Sequence, residues 1–339
     1  MDDLRDSAIA RGWIRGGEPI LLDRLAFPLT EDLPDVVHAL NRAVRDRVRE
    51  DMVHGPATPA AVASCFGAEE EQVVAEVDRY GLPLRTVLSR DSGLMRSDPY
   101  YAPDYLSVFY RDHYRSLYRP KRFSLSWFLA EQIRHGQRIL ERLPTPLRPG
   151  ARVLDVGCGM GGMLVAFALE GCEIVGFDYG AEYVAKGRRL GLDLRAGGFE
   201  TVAGERPFDL VMMSHVLEHA ADPIAFARQA AGVLATDGLC YLEVPGIFNI
   251  RAGYDGDVLT YLQNAHQWHF TAATLRATLA RAGLHVEQGD ESIWCIARHG
   301  KVEPSARAHD GERVAAELLD LERTFAGRAP IAGGMLAGV

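Results

Sequence analysis

The chain has 339 residues, of which 47% are hydrophobic and 24% charged, with a formal net charge of -9. That length suits one large domain plus a smaller one, and the composition is that of an ordinary globular protein. The acidic balance argues against a nucleic acid as partner, since non-specific binding to one needs a basic surface. No apolar run reaches the roughly 18 residues of a membrane span, so no membrane is expected either. The opening segment MDDLRDSAIARGW is too acidic and mixed for a signal peptide. Five scattered cysteines, Cys65, Cys158, Cys172, Cys240 and Cys295, lack the close pairing of a zinc site. Reduced thiols in a cytoplasmic protein, with no bound metal, are the expectation.

Residues 1–119 read as a separate N-terminal region. DVVHALNRAVRDRVREDM (35–52) has helical spacing, and ATPAAVASCFGAEEEQVVAEVDRYGL (57–82) reads as two short helices turning at Gly67. PLRTVLSRDSGLMRS (83–97) then reads as a hairpin around Asp91-Ser92-Gly93. Helix, helix, hairpin is the order of a winged helix. The second helix would be acidic, so dimerisation or a substrate lid is expected rather than DNA binding. An irregular helical extension is an equal alternative.

From 120 to 300 strands and helices alternate. ARVLDVG (151–157), CEIVGFD (172–178), LDLRAG (192–197), FDLVMMSH (208–215) and GLCYLEVPG (238–246) are strand candidates. Helices are expected at 163–171, at 181–191, from the Asp222-Pro223 cap to Leu234, and from Thr271 to Gly283. LHVEQGDE and SIWCIARHG close the series as a hairpin. The pattern predicts an α/β, Rossmann-like doubly wound sheet with right-handed crossovers. Residues 301–339 read as one amphipathic helix, GERVAAELLDLERTF, and a glycine-rich tail.

Between the first strand and its helix lies Asp155-Val156-Gly157-Cys158-Gly159-Met160-Gly161-Gly162. Glycines there permit a sharp turn and close approach of a ligand to the backbone. The string also satisfies G-x-G-x-x-G at Gly157, Gly159 and Gly162, so a nicotinamide-dependent oxidoreductase is one reading. No Tyr-x-x-x-Lys pair accompanies it. A non-catalytic cofactor-binding protein is another. Asp178 ends the second strand, about 20 residues on, where a carboxylate can accept both ribose hydroxyls.

FDLVMMSHVLEH, followed by a helix and DGLCYLEVP, together with D-V-G-C-G, resembles the class I S-adenosylmethionine-dependent methyltransferases over about 150–300. FDYGAEYVAKGRRLGL, SHVLEH, YLQNAHQWHFTAATL and SGLMRSDPYYAPDYLSVFYRDHYRSLY resemble a branch of that family found with surface-polysaccharide and secondary-metabolite pathways. The zinc ribbon that often precedes this lead-in in the branch is absent from the sequence. The resemblance implies that S-adenosylmethionine binds along Asp155, Gly157, Cys158 and Gly159. It implies Asp178 on the ribose, Tyr179 beside the adenine, Phe199 and Glu200 at the adenine edge, and Ser214 and His215 at the fourth strand's end. Many relatives carry an acidic residue where Gly198 stands. The implied reaction is methylation of a small-molecule acceptor, at an oxygen of a sugar or natural-product intermediate, with nitrogen or carbon as alternatives. Ligands in such sheets lie outside the carboxyl ends of the strands. The candidates facing the methyl are therefore Glu218, His219, Asn249, Tyr261, Asn264, His266 and His269. A histidine suits proton removal from a hydroxyl, and His266 and His269 stand just ahead of a helix N-terminus whose positive end favours a neutral imidazole. A homodimer is a further expectation.

Overall fold

A computed structural model describes residues 2–29, 33, 39–118 and 124–326. The chain divides into two compact units, and neither is one stretch of sequence. One contains 122–244 and 275–306, and the other 1–121, 245–274 and 307–339. The sequence reading instead cuts the chain at 119/120 and 300/301. The first of those cuts, residues 35–38 of the expected helix and the glycine-rich tail after 326 lie outside the described residues.

The first of these units carries the predicted sheet. Its strands are β1 (Arg152–Val156), β2 (Glu173–Asp178), β3 (Leu194–Ala196), β4 (Phe208–Ser214), β5 (Leu234–Glu243), β6 (Leu284–Gly289) and β7 (Trp294–His299). They are ordered β6-β7-β5-β4-β1-β2-β3. Strands β1 to β5 run parallel, and the β6–β7 hairpin adds antiparallel to β5. The first strand is buried along its whole length, as expected for a parallel strand covered on both faces. Its α-helices among the described residues include α1 (Leu125–Arg142), α2 (Gly162–Leu169), α3 (Ala181–Arg188) and α4 (Pro223–Val233), and most of the helix Ala272–Ala282 also falls in it. Asp222 caps α4 by accepting from the amides of Ile224 and Ala225 at 3.0 and 2.9 Å, the arrangement its sequence predicts. Val153, Leu164, Phe167, Leu210, Met212, Tyr241 and Ile296 share one core. The packing of α1 on α2 needs Gly136, because a Cβ there would stand 2.3 Å from the Met163 carbonyl oxygen.

The other unit corrects the winged-helix expectation. Residues 83–89 and 95–97 are strands, as the hairpin reading has it. The acidic segment before them is a strand too, Glu71–Val77, in a four-stranded antiparallel sheet. The order is Trp268–His269, Met95–Ser97, Pro83–Ser89, Glu71–Val77. The reason is pairing. Glu76 is buried against Arg5 at 2.6 Å, and Glu71 meets Arg96 at 2.6 Å, so these charges do not form the solvated face of a helix. Val73, Val74, Ala75 and Val77 are buried in succession, a run whose periodicity suits strand or helix alike. Helices Ala39–Val53 and Gly311–Ala326 are the longest in this unit among the described residues, and Arg24 ties to Glu322 of the latter at 2.6 Å. Thr271 and Thr274 exchange bonds at the next helix start, amide to hydroxyl at 2.8 and 3.1 Å, which is a reciprocal cap. No helix among the described residues is long and apolar enough to cross a membrane.

Candidate functional site

The glycine loop leaves β1 and doubles back sharply. Gly157, Gly159 and Gly161 all have positive φ, at 73, 56 and 75°. The amides of Gly157 and Cys158 both donate to the Phe177 carbonyl on β2, at 2.9 and 3.0 Å. A Cβ on Gly157 would lie 2.6 Å from Val216 Cγ2, so only glycine fits there. Asp178, half-buried at the end of β2, accepts from the amides of Gly159 at 3.0 Å and Gly180 at 2.6 Å. Its carboxylate is thereby fixed against the loop.

Asp155 is wholly buried, and neither of its carboxylate oxygens has a hydrogen-bond partner. Burial, with Asp178 close by, raises its pKa well above the usual carboxylate range. Gln132 of α1 likewise has its amide oxygen buried and unpartnered. A Cβ on Gly162 would meet that oxygen at 2.7 Å, which places it over the N-terminus of α2. Buried acceptors without donors are costly. Two of them beside a glycine loop fit a ligand that brings its own N–H groups, as the ammonium of S-adenosylmethionine does.

Around the third strand, Tyr179 is 79% exposed, while Gly198 is buried beneath it. Glu200 accepts from the Gly198 amide at 2.7 Å. A Cβ on Gly198 would fall 2.5 Å from the Tyr179 hydroxyl and 2.8 Å from Glu200 Oε2. Glycine at 198 thus leaves room for the Tyr179 hydroxyl and the Glu200 carboxylate. Phe199 packs edge-on to Phe177 at 5.0 Å.

At the ends of β4 and β5 a network appears that the sequence reading missed. Glu243 meets His135 Nε2 at 2.5 Å, Arg142 at 3.0 Å and the Ser214 hydroxyl at 3.2 Å. Burial opposes the charge of Glu243, yet these partners hold its pKa down to about 2. Gln132, His135 and Arg142 sit at i, i+3 and i+10 of α1, a spacing that puts them on one helix face. That signal was present in the sequence. His215 has φ 54, an uncommon backbone state for a residue with a side chain and one that recurs at functional sites. The His215 side chain is 41% exposed, and its partial desolvation, which works against a charge, is outweighed by Glu218, 3.5 Å from its Nδ1, together with Glu243, so that its pKa is raised. Glu218 is buried, with His219 Nε2 at 3.8 Å.

The remaining predicted residues lie in the other unit. Tyr261, His266 and His269 are all buried. Tyr261 donates to the Pro245 carbonyl at 3.3 Å and stacks obliquely on His269 at 5.1 Å. His266 and His269 have ring centroids 6.2 Å apart. His269 is in a short strand paired to Met95 rather than in a loop. Both its ring nitrogens lack partners, and burial pushes its pKa down to about 3. Tyr110, Tyr114 and Tyr118 form a packed stripe with centroids 5.1 and 4.9 Å apart.

Comparison with known proteins agrees with the glycine-loop geometry. A family profile described as a methyltransferase domain matches residues 128–288. A ubiquinone biosynthesis O-methyltransferase of Xanthomonas euvesicatoria pv. vesicatoria is 34% identical over 164 residues, which cover 44% of this chain and 69% of that protein. Its counterpart in Xanthomonas campestris pv. campestris (strain B100) is 39% identical over 103 residues, 28% of this chain and 43% of that one. The chain thus spans less than half the length of that second relative. The solved mitomycin 7-O-methyltransferase MmcR aligns at 17% identity over 58% of this chain and 60% of that chain, with a TM-score of 0.42, too low to argue from. On the profile match and the Xanthomonas euvesicatoria relative, the chain belongs to the class I S-adenosylmethionine-dependent methyltransferases.

Proposed function

We propose that this protein methylates an oxygen of a small molecule, a sugar or a natural-product intermediate. The observation that carries the reading is the pair of carboxylates at the glycine loop: Asp178 pinned by two loop amides, and Asp155 buried without a donor. Asp178 would hold the ribose diol. Asp155 and Gln132 would receive the ammonium group, with Gly157, Cys158 and Gly159 beneath it. Tyr179, Phe199 and Glu200 would border the adenine, and Ser214 and His215 the methionine chain. When bound, S-adenosylmethionine supplies an electrophilic methyl group on a sulfonium. The protein's own task is then chiefly to hold the acceptor in line, which can supply roughly 7–11 kcal/mol. The named activity of the two Xanthomonas relatives supports an oxygen acceptor.

Proton removal from the acceptor hydroxyl is assigned to His266 in preference to His269. A base whose pKa lies near 3 is far too weak for a hydroxyl at neutral pH. Glu218, His219 and Tyr261 are the alternatives. The unit containing the N-terminal segment is read as an acceptor lid or a dimer contact, and sedimentation of the intact protein distinguishes the two.

Calorimetry with S-adenosylhomocysteine and NAD tests the cofactor. We expect binding of the first alone. Charge-assisted bonds contribute about 1.5–3 kcal/mol each, so Asp178→Ala should weaken it by roughly ten- to a hundredfold. Binding of NAD instead would return the loop to the dinucleotide reading, and undiminished affinity in a folded Asp178→Ala would remove the ribose assignment.

A further inference from the structure

The unit with the antiparallel sheet buries several arginines, and one differs from the rest. Arg85 pairs with Glu18 at 2.8 Å and stands 3.6 Å from Asp98, and Arg96 pairs with Glu71 at 2.6 Å. Arg79 is 5% exposed, yet its Nε and Nη2 have no partner. These two nitrogens form one edge of the guanidinium, the edge that grips a carboxylate or phosphate through two parallel hydrogen bonds. The adjacent carboxylate is already engaged. Asp78 accepts from the amides of Tyr80 at 3.0 Å, Leu82 at 2.9 Å and Asn264 at 3.2 Å, and no ion pair joins it to Arg79 among the described residues.

The backbone around Arg79 is firmly held. Its amide donates to the Leu262 carbonyl at 2.9 Å. Tyr80, next in sequence, packs edge-on to Tyr118 at 5.3 Å, and the Tyr118 hydroxyl donates to Asn264 at 2.7 Å and accepts from the Ala265 amide at 3.1 Å. Buried guanidinium donors without hydrogen-bond partners are costly. Holding them rigidly, with the bidentate edge bare, is the arrangement expected where a ligand brings an anion.

We propose that Arg79 recognises an oxyanion, a carboxylate or phosphate group, of a small-molecule ligand bound within this unit. The inference concerns this unit alone and stands apart from the cofactor reading. Tyrosine rings beside the guanidinium make aromatic oxyanions apt probes, with benzoate and phenyl phosphate separating the two sources of the anion. Calorimetry of the full chain should show one of them binding the wild type. Arg79→Met should weaken that binding about a hundredfold, as loss of two charge-assisted bonds requires, and Arg79→Lys should weaken it less. Affinity for S-adenosylhomocysteine should not change in either variant. In anion-free buffer Arg79→Met should melt no lower than the wild type, whereas an arginine needed only for structure would lower the melting temperature when lost. Absence of binding by both probes, or equal binding by wild type and Arg79→Met, would overturn the proposal. Failure of all forms to bind S-adenosylhomocysteine would instead sink the methyltransferase reading.

Discussion

The two units place their polar groups in different ways. Around the glycine loop, the backbone does most of the work. Positive φ at Gly157, Gly159 and Gly161 shapes the turn, and amides of residues 159 and 180 fix Asp178. In the antiparallel unit, polar side chains from distant segments converge instead: Asp78 and Arg79, Tyr101 and Tyr118, and Asn264, which bonds both those tyrosines. A backbone-built site tolerates change in most side chains but not in its glycines. A side-chain-built one has no single indispensable turn, and its tuning lies in which polar groups are left unpaired.

The sharpest way to break that contrast is at Gly157. Val in place of Gly157 or of Gly191 meets similar backbone strain, since both have positive φ, at 73 and 84°. Only at 157 does a Cβ also collide with Val216; at 191 nothing stands within 4 Å. Gly157→Val should abolish measurable binding of S-adenosylhomocysteine and cost roughly 3 kcal/mol or more of stability. Gly191→Val should keep the binding and cost about 1–2 kcal/mol. Calorimetry and denaturant melts on both variants would decide it, and equal losses would mean that close approach is not what Gly157 provides.

This difference also sets what the sequence revealed. Glycine spacing, an aspartate at a strand end and apolar runs are local signals, so the sheet, its helix caps and the loop around Asp178 were all legible. The strand Glu71–Val77 was not, because its glutamates pair with Arg5 and Arg96 from elsewhere in the chain, and that pairing buries Glu76. Nor was the bare edge of Arg79, since an unpaired group is defined by what the fold fails to bring near. The discontinuous units were hidden for the same reason: 245–274 and the C-terminal helix join the N-terminal segment through tertiary contacts that no local pattern announces.

Glu243 sharpens the comparison within the sheet-bearing unit, where it is the main side-chain node. Its pKa is held at about 2, below its ordinary 4.5. The folded state therefore binds this proton less readily than the unfolded chain. Stability from this group is full above about pH 5 and falls away as pH drops through 2, by an amount on the order of 3 kcal/mol. Glu243→Gln should be less stable than wild type at pH 7, with the two converging near pH 2–3. Denaturant titrations across that range would show it. Parallel curves at every pH would mean that His135 and Arg142 do not hold the carboxylate ionised.

In the antiparallel unit the comparison comes down to two neighbouring histidines with opposite expectations. His269 has both nitrogens buried and unpartnered, so at neutral pH it is uncharged, unsatisfied and too weak a base to matter. His269→Phe should retain turnover within a few-fold. It should also stabilise the protein or leave it unchanged, because an apolar ring of similar shape relieves an unmade hydrogen bond. His266 is the assigned base, and His266→Gln should lower turnover about 10²-fold with affinity for S-adenosylhomocysteine intact. The pH dependence separates them independently. The pKa of His269 sits at about 3, below its ordinary 6.5, so the unfolded chain binds this proton more readily than the native one. Native stability should then rise with pH between about 3 and 6.5 on its account. His269→Phe should flatten that part of the curve, whereas His266→Gln should act on the pH profile of turnover. A large turnover loss in His269→Phe with none in His266→Gln would reverse the assignment, and no loss in either would leave the unit to hold the acceptor without moving its proton.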